Sequence, residues 1–322
     1  MTISPEQTAW FAATFRSMVE NVETVVLGKR HVIELAFTAM ISEGHLLLED
    51  FPGTGKTSLA RAMGQTVHGT NSRIQFTPDL LPGDVTGITV YDQKRGEFEF
   101  HSGPIFANIV LADEINRASP KTQSALLEVM EEGVVTVDGT PHAVPQPFMV
   151  IATQNPVEQA GTYKLPEAQL DRFLIKTSLG YPDDATALSL LLDPGDRARA
   201  NRVQPIIAAA SISSMSQLVG EVHVESSVME YVNRIVGATR PREDVTLGVS
   251  MRGAMALARA IKAWALSKGR TYATPDDVRE LAVPVLAHRV IVDPEAEFAG
   301  TTGIDVITRI VADIEPPAYR AA

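Results

Sequence analysis

The segment LLLEDFPGTGKTSLARAM, from Leu46 to Met63, carries an apolar run into a helical pattern through Pro52, Gly53, Thr54 and Gly55, and Lys56, Thr57 and Ser58 follow at once. A strand that feeds such a loop into a helix points several backbone N–H groups at one spot, and the helix N-terminus adds partial positive charge. Phosphate is the natural guest. Lys56 then reaches the β and γ phosphates of a nucleotide as a point charge, and the Thr57 hydroxyl is placed to bind Mg²⁺. The strict pattern G-x-x-x-x-G-K-[ST] asks for glycine where Asp50 stands; Pro52 and Gly53 are expected to keep the loop shape without it. The bland alternative is a glycine-rich turn with an exposed lysine.

Two further apolar runs end in polar residues suited to the same guest. NIVLADEIN ends in Asp113 and Glu114. The C-terminal strand ends of a parallel sheet gather around the ligand crevice, so Asp113 is expected to face the Mg²⁺ held by Thr57. Glu114 can then polarise a water for in-line attack on the γ-phosphate. FMVIATQNP ends in Gln154 and Asn155, and Asn155 is expected to orient that water or to contact the γ-phosphate. Taken singly, an acidic strand end or an Asn-Pro turn is common in α/β proteins. Three strands ending in residues for one Mg-nucleotide are much harder to dismiss.

The elements that must hold these residues follow from periodicity. HLLLED, NIVLAD and FMVIATQN read as fully buried strands alternating with helical patterns, which implies a parallel sheet covered by helices. TGITVYDQKRGEFEFHSG alternates with period two about Lys94-Arg95-Gly96, and VVTVDGTPHAVP turns at Asp138-Gly139, so both are expected as β-hairpins. After Tyr181-Pro182 the pattern turns helical, without a convincing buried strand. SMRGAMALARAIKAWALSKG puts Met255, Ala258, Ile261 and Ala265 on one face, with Gly269 as a stop. TPDDVRELAVPVLAHRV opens with Thr274 as N-cap, Pro275 at the first helical position and Asp277 completing a capping box. His45 is expected to pack beside its strand, and His288 to end a helix with a partial positive charge that suits the dipole.

Composition removes whole classes of function. The 322 residues are 45% hydrophobic and 21% charged, as in ordinary globular proteins. A net charge of −11 sets the chain as a whole against nucleic-acid phosphates and anionic membranes. Cysteine is absent, so there is no disulfide, thiolate metal site or cysteine nucleophile, which suits a reducing compartment. No apolar run approaches the roughly 20 residues needed to span a bilayer, and the opening MTISPEQTAWFAATF lacks the basic start of a signal peptide. A cytoplasmic location is expected. The seven histidines are scattered and no H-E-x-x-H helix appears, which disfavours zinc hydrolase chemistry.

Over nearly its whole length the chain resembles an AAA+ ATPase of the MoxR family. The likeness is carried by GHLLLEDFPGTGKTSLARAM, RIQFTPDLLPGDVTG, VLADEINRASPKTQSALLEVMEE, VIATQNPVEQAGTYKLPEAQLDRF and LAHRV. The resemblance implies a P-loop NTPase αβα core with a parallel central sheet and β-hairpin inserts, taken as residues 1–181, and an all-α lid, taken as residues 182–322. The hairpins, at about 86–103 and about 133–146, match the insert within helix 2 and the hairpin before sensor 1. It also implies ATP and Mg²⁺ as cofactors, with Lys56 and Thr57 as Walker A residues, Asp113 and Glu114 as the Walker B pair, and Asn155 as sensor 1. Arg172 of LDRF corresponds to the arginine finger, Arg252 of GVSMRG to sensor 2, and Val26, Leu27 and Gly28 to the segment that lies against adenine. Both arginines are chemically apt, since a guanidinium stabilises charge in the phosphoryl-transfer transition state and can come from a neighbouring chain. The bland alternative for Arg172 is a solvent-facing charge beside Phe173. Where Met251 stands the family more often has proline.

The resemblance further implies a ring, usually hexameric, and a client protein carrying a von Willebrand factor A domain. Such a domain would show an Asp-x-Ser-x-Ser motif, which this chain lacks, so the client is expected to be a separate polypeptide. Two other readings remain open from sequence: the ATPase subunit of a magnesium chelatase, and a nucleotide-dependent scaffold or DNA-associated switch. Glu114, Asn155 and Arg172 speak against a non-hydrolysing scaffold, and the net charge speaks against DNA.

Overall fold

The computed structural model describes residues 3–51, 53–155, 163, 165–192 and 202–317. In chain order the strands are β1 (Leu46–Glu49), β2 (Asn71–Gln75), β3 (Gly87–Asp92), β4 (Glu97–Ser102), β5 (Ile109–Asp113), β6 (Val134–Val137), β7 (Thr140–Ala143), β8 (Met149–Gln154), β9 (Ile175–Thr177), β10 (Val245–Leu247) and β11 (Ile291–Val292). The helices used below are α1 (Pro5–Glu23), α2 (Arg30–Ile41), α3 (Lys56–Thr66), α4 (Pro82–Thr86), α5 (Pro120–Glu132), α6 (Glu167–Leu170), α7 (Asp184–Leu192), α8 (Ala209–Gly220), α9 (Ser226–Ala238), α10 (Met251–Ser267) and α11 (Pro275–Leu286).

Contacts divide the chain into two compact units. One, made of Ser17–Leu165 and Thr177–Ser213, holds the sheet. Its strands run in the order β2-β5-β8-β1, with the β2–β5, β5–β8 and β1–β8 pairs parallel. Every residue of β5 and the first five of β8 are buried, as a strand covered on both faces must be. Two expected hairpins form, β3–β4 and β6–β7. Asp138 and Gly139 both take positive φ, 49° and 78°, which is the backbone a two-residue hairpin turn needs. The hairpins lean together: Phe100 of β4 stacks on His142 of β7 with ring centroids 3.9 Å apart.

Local signals set the helix ends. Ser119 accepts a hydrogen bond from the Thr122 N–H, Pro120 opens α5, and Gly133 closes it at φ 65°. His45 is fully enclosed, with Nδ1 accepting from the Val150 N–H at 3.0 Å and Nε2 donating to the Met130 carbonyl at 2.9 Å. It ties the end of α5 to β8 as a neutral ring, and burial lowers its pKa to about 4.

The second unit, made of Met1–Arg16, Pro166–Lys176 and Ser214–Ala322, is mainly helical. Trp264 lies at its centre with Nε1 donating to Glu280 at 2.8 Å. Asp277 takes the Thr274 N–H at 2.8 Å, so the expected box at the start of α11 forms. Two expectations need correcting. On α10 Ile261 and Ala265 are buried as expected, but Met255 is exposed and Ala258 half-buried, and the buried side runs through Ala254, Leu257 and Trp264 instead: the many alanines leave the phase open and the large side chains set it. The short antiparallel pair β10–β11 was not legible. His288 carries no charge, because burial and the adjacent Arg289 hold its pKa well below the usual histidine value. Among the described residues no helix is long and apolar enough to cross a membrane.

Candidate functional site

At the C-terminal end of β1 the chain enters the loop through Asp50, which is buried. Its Oδ2 accepts the backbone N–H groups of Leu179 and, at 3.0 Å, Gly180. This accounts for an aspartate where the strict loop pattern has glycine: the carboxylate pins the start of the loop to the chain leaving β9. Gly53 and Gly55 take φ of 84° and 96°, and a Cβ built on either would meet nothing within 4 Å. The loop backbone therefore lies open to the cavity. Lys56, Thr57 and Ser58 form the first turn of α3, whose N–H groups have no helical partners. Lys56 Nζ donates to the Asp50 and Phe51 carbonyls, both at 2.8 Å. Burial lowers its pKa, and the carboxylates of Asp50, Asp113 and Glu114 oppose that shift.

The acid pair sits across from the loop. Asp113 accepts from Thr153 Oγ1 at 2.6 Å and from Arg73 Nη2 at 2.7 Å. Glu114 stands in the left-handed region, φ 57° and ψ 49°, where a non-glycine residue costs on the order of 1 kcal/mol. That turn swings its carboxylate away from the strand line, and Oε2 accepts from Gln75 Nε2 and Arg117 Nη1, both at 2.9 Å. The Glu114 N–H donates to the Thr153 hydroxyl at 2.9 Å, so one buried threonine orients both acids.

At the end of β8, Gln154 and Asn155 take different tasks. Gln154 Nε2 donates to Glu49 Oε1 across the β1–β8 pair, so its amide is tied to the sheet, and both Gln154 and Asn155 stand on the cavity wall. The cavity is about 850 Å³, within the usual range for small-molecule sites. Gly53 to Ser58, Asp113, Glu114 and Asn155 line it, together with Val26 and Leu27. Gly28 is not on the wall; it turns the chain at φ 68°, with Thr186 Oγ1 3.0 Å from where a Cβ would stand. Lys29, beside it, does line the cavity and donates to the Tyr181 carbonyl at 2.8 Å. Pro52 lies outside the described residues. Arg172 and Arg252 belong to the helical unit: Arg172 follows α6, next to the buried Phe173, and Arg252 is the second residue of α10, whose N-cap Ser250 accepts from the Gly253 N–H.

Sequence reasoning missed Arg73, Gln75, Arg117, Thr153 and Tyr181 on the cavity wall. A signal existed for two of them. Arg73 and Gln75 are two apart on β2, hence on one face, and Gln75 is in register with Asp113. The strand itself was hard to see, because only Ile74 of its five residues is buried.

The wall also suits a cation delivered with phosphate. Mg²⁺ prefers oxygen ligands and keeps waters and phosphate oxygens, so one hydroxyl and one carboxylate are enough from the protein. Thr57 and Asp113 supply these, whereas no group of three or more His, Asp or Glu able to hold an ion alone occurs among the described residues.

Comparison with known proteins agrees with this geometry. Residues 45–175 match the family described as ATPase family associated with various cellular activities (AAA), and residues 237–310 match the AAA lid domain. The chain is 48% identical over 304 residues to the uncharacterized protein YeaC of Bacillus subtilis (strain 168), covering 94% of this chain and 95% of that one. It is 37% identical over 317 residues to Chaperone MoxR1 of Mycobacterium tuberculosis, covering 96% and 84% respectively. A crystal structure from Cytophaga hutchinsonii, of a protein inferred to be an ATPase, superposes with a TM-score of 0.89 at 37% identity, covering 96% of this chain and 97% of the other.

Proposed function

Because the chain belongs to the MoxR family of AAA+ ATPases, we propose that it hydrolyses ATP in a ring, remodelling or maturing a separate client protein as it does so. The observation that carries this reading is that Lys56, Thr57, Asp113, Glu114 and Asn155, drawn from the ends of three neighbouring strands, line one cavity. Lys56 and the open loop N–H groups bind the triphosphate; Val26 and Leu27 receive the base. Thr57 and Asp113 would hold Mg²⁺, which supplies charge neutralisation on the phosphates. Glu114 takes a proton from the attacking water as oxygen bonds to the γ-phosphorus and the bond to the β–γ bridging oxygen breaks, leaving ADP and phosphate. Asn155 orients the water. Arg172 acts on the nucleotide of the adjoining subunit, and Arg252 meets the triphosphate as the lid closes.

The chaperone name of the Mycobacterium tuberculosis relative supports a protein client, and a von Willebrand factor A domain is the client class we favour. The test separates binding from turnover. Lys56→Ala is expected to lose nucleotide binding by calorimetry, whereas Glu114→Gln keeps it and loses about 10²- to 10⁴-fold in phosphate release. Equal loss of binding in both variants would refute the assignment of Glu114 as base. Retention of client on the ATP-loaded Glu114→Gln protein, with release by the wild type, checks the remodelling role.

A further inference from the structure

Arg289 is enclosed within the helical unit, its side chain 3% exposed, and most of its guanidinium contacts go to one short segment. Nε donates to Asp171 Oδ1 at 2.7 Å, and Nη2 to the carbonyls of Asp171 at 3.2 Å and Phe173 at 2.8 Å. Nη1 donates to the Leu174 carbonyl at 3.4 Å and to that of Val285. Three of the four residues from Asp171 to Leu174 are thus clamped, and the fourth is Arg172. The stem of the same side chain lies against the first turn of α10: a Cβ on Gly253, next to Arg252, would stand 2.8 Å from Arg289 Cδ. Stability alone gives little reason for this choice, since a well-packed apolar replacement of a buried ion pair is often neutral or stabilising. Geometry gives a better one. Only a planar fork with five donors reaches a carboxylate and several carbonyls at once.

We propose that Arg289 is a positioning residue that sets the presentation of Arg172 and ties it to the turn carrying Arg252, so that the lid cannot shift without moving the finger. This rests on the reading of Arg172 as a residue supplied to the neighbouring subunit. The coupling is mechanical: displacing Arg289 would strip the Asp171 carboxylate and three carbonyls of their donor together, so Asp171–Leu174 follows it.

The test uses full-length chains in mixed rings. Arg289→Met is expected to bind a fluorescent ATP analogue within about twofold of wild type yet to release phosphate about tenfold more slowly or worse. Mixed with Lys56→Ala chains, which bring a sound finger but no nucleotide, it regains turnover. Mixed with Arg172→Ala chains it does not, because neither partner presents a finger. Arg289→Lys, which keeps the charge without the fork, is expected to fall between. Should Arg289→Met fail to fold by circular dichroism, Asp171→Asn and Gly253→Ala must give the same mixing pattern. Wild-type turnover, loss of nucleotide binding, or rescue by Arg172→Ala would each overturn the proposal. The control mixture of Arg172→Ala with Lys56→Ala separates the two levels: no rescue there removes the trans finger and this inference with it, whereas rescue there without rescue of Arg289→Met removes this inference alone.

Discussion

The acids of the cavity and the acid of the helical unit are each paired with arginine, yet the pairs are built for opposite ends. Asp113 meets Arg73 at 2.7 Å and Glu114 meets Arg117 at 2.9 Å, and those arginines are 53% and 45% exposed. Asp171 meets Arg289 at the same 2.7 Å, but there the arginine side chain is 3% exposed. Pairs open to water are worth about 0–1 kcal/mol, so an arriving cation or phosphate can exchange them at little cost. A buried pair is another matter, because breaking it leaves an uncompensated charge. The cavity therefore keeps its charges exchangeable, while the helical unit holds its own fixed.

This contrast is open to measurement, and the largest effect belongs to the enclosed pair. Asp171→Ala is expected to lower unfolding stability by about 3–5 kcal/mol in denaturant titration, and a loss near that of a surface pair would break the comparison. Acid comes next. His45 is neutral in the fold with a pKa of about 4, against 6.5 for the free side chain. The unfolded chain therefore binds the proton first, so stability declines as pH falls from 6.5 to 4 by about 3 kcal/mol and then stops changing on this account. His45→Gln, whose amide can accept from Val150 and donate to Met130, is expected to flatten that slope in urea melts taken at several pH values. A cap is smaller still: Ser119→Ala is expected to cost about 1 kcal/mol of thermal stability. Smallest of all, Arg73→Ala is expected to change stability by under about 1 kcal/mol while altering Mg-nucleotide affinity. A large stability loss there would mean that the cavity pairs are structural after all.

Much of this arrangement was legible because it is written in contiguous runs. β1, β5 and β8 announce themselves through burial on both faces, the Asp138-Gly139 turn through its backbone demands, and the start of α11 through Thr274, Pro275 and Asp277. β2 and β9 escaped for a physical reason. An edge strand with one buried residue carries almost no hydrophobic period, and a three-residue strand is too short to have one. With β2 went Arg73 and Gln75, which restrain the two acids. Arg117 and Thr153 escaped because their relevance depends on the left-handed turn at Glu114 and on the β5–β8 alignment.

By itself the chain determined which backbone would open to phosphate, since glycines at the loop and an unpartnered helix start are local properties, and which acids and amide would end the buried strands. Tertiary structure alone decided what those groups are bonded to: that Asp50 replaces a glycine by binding Leu179 and Gly180, that His288 is neutral, and that Arg289 hydrogen-bonds the segment bearing Arg172. The bonds of Asp50 and Arg289 reach partners more than 100 positions away and the neutrality of His288 follows from its enclosure by the folded unit, and neither propensity nor periodicity carries that information.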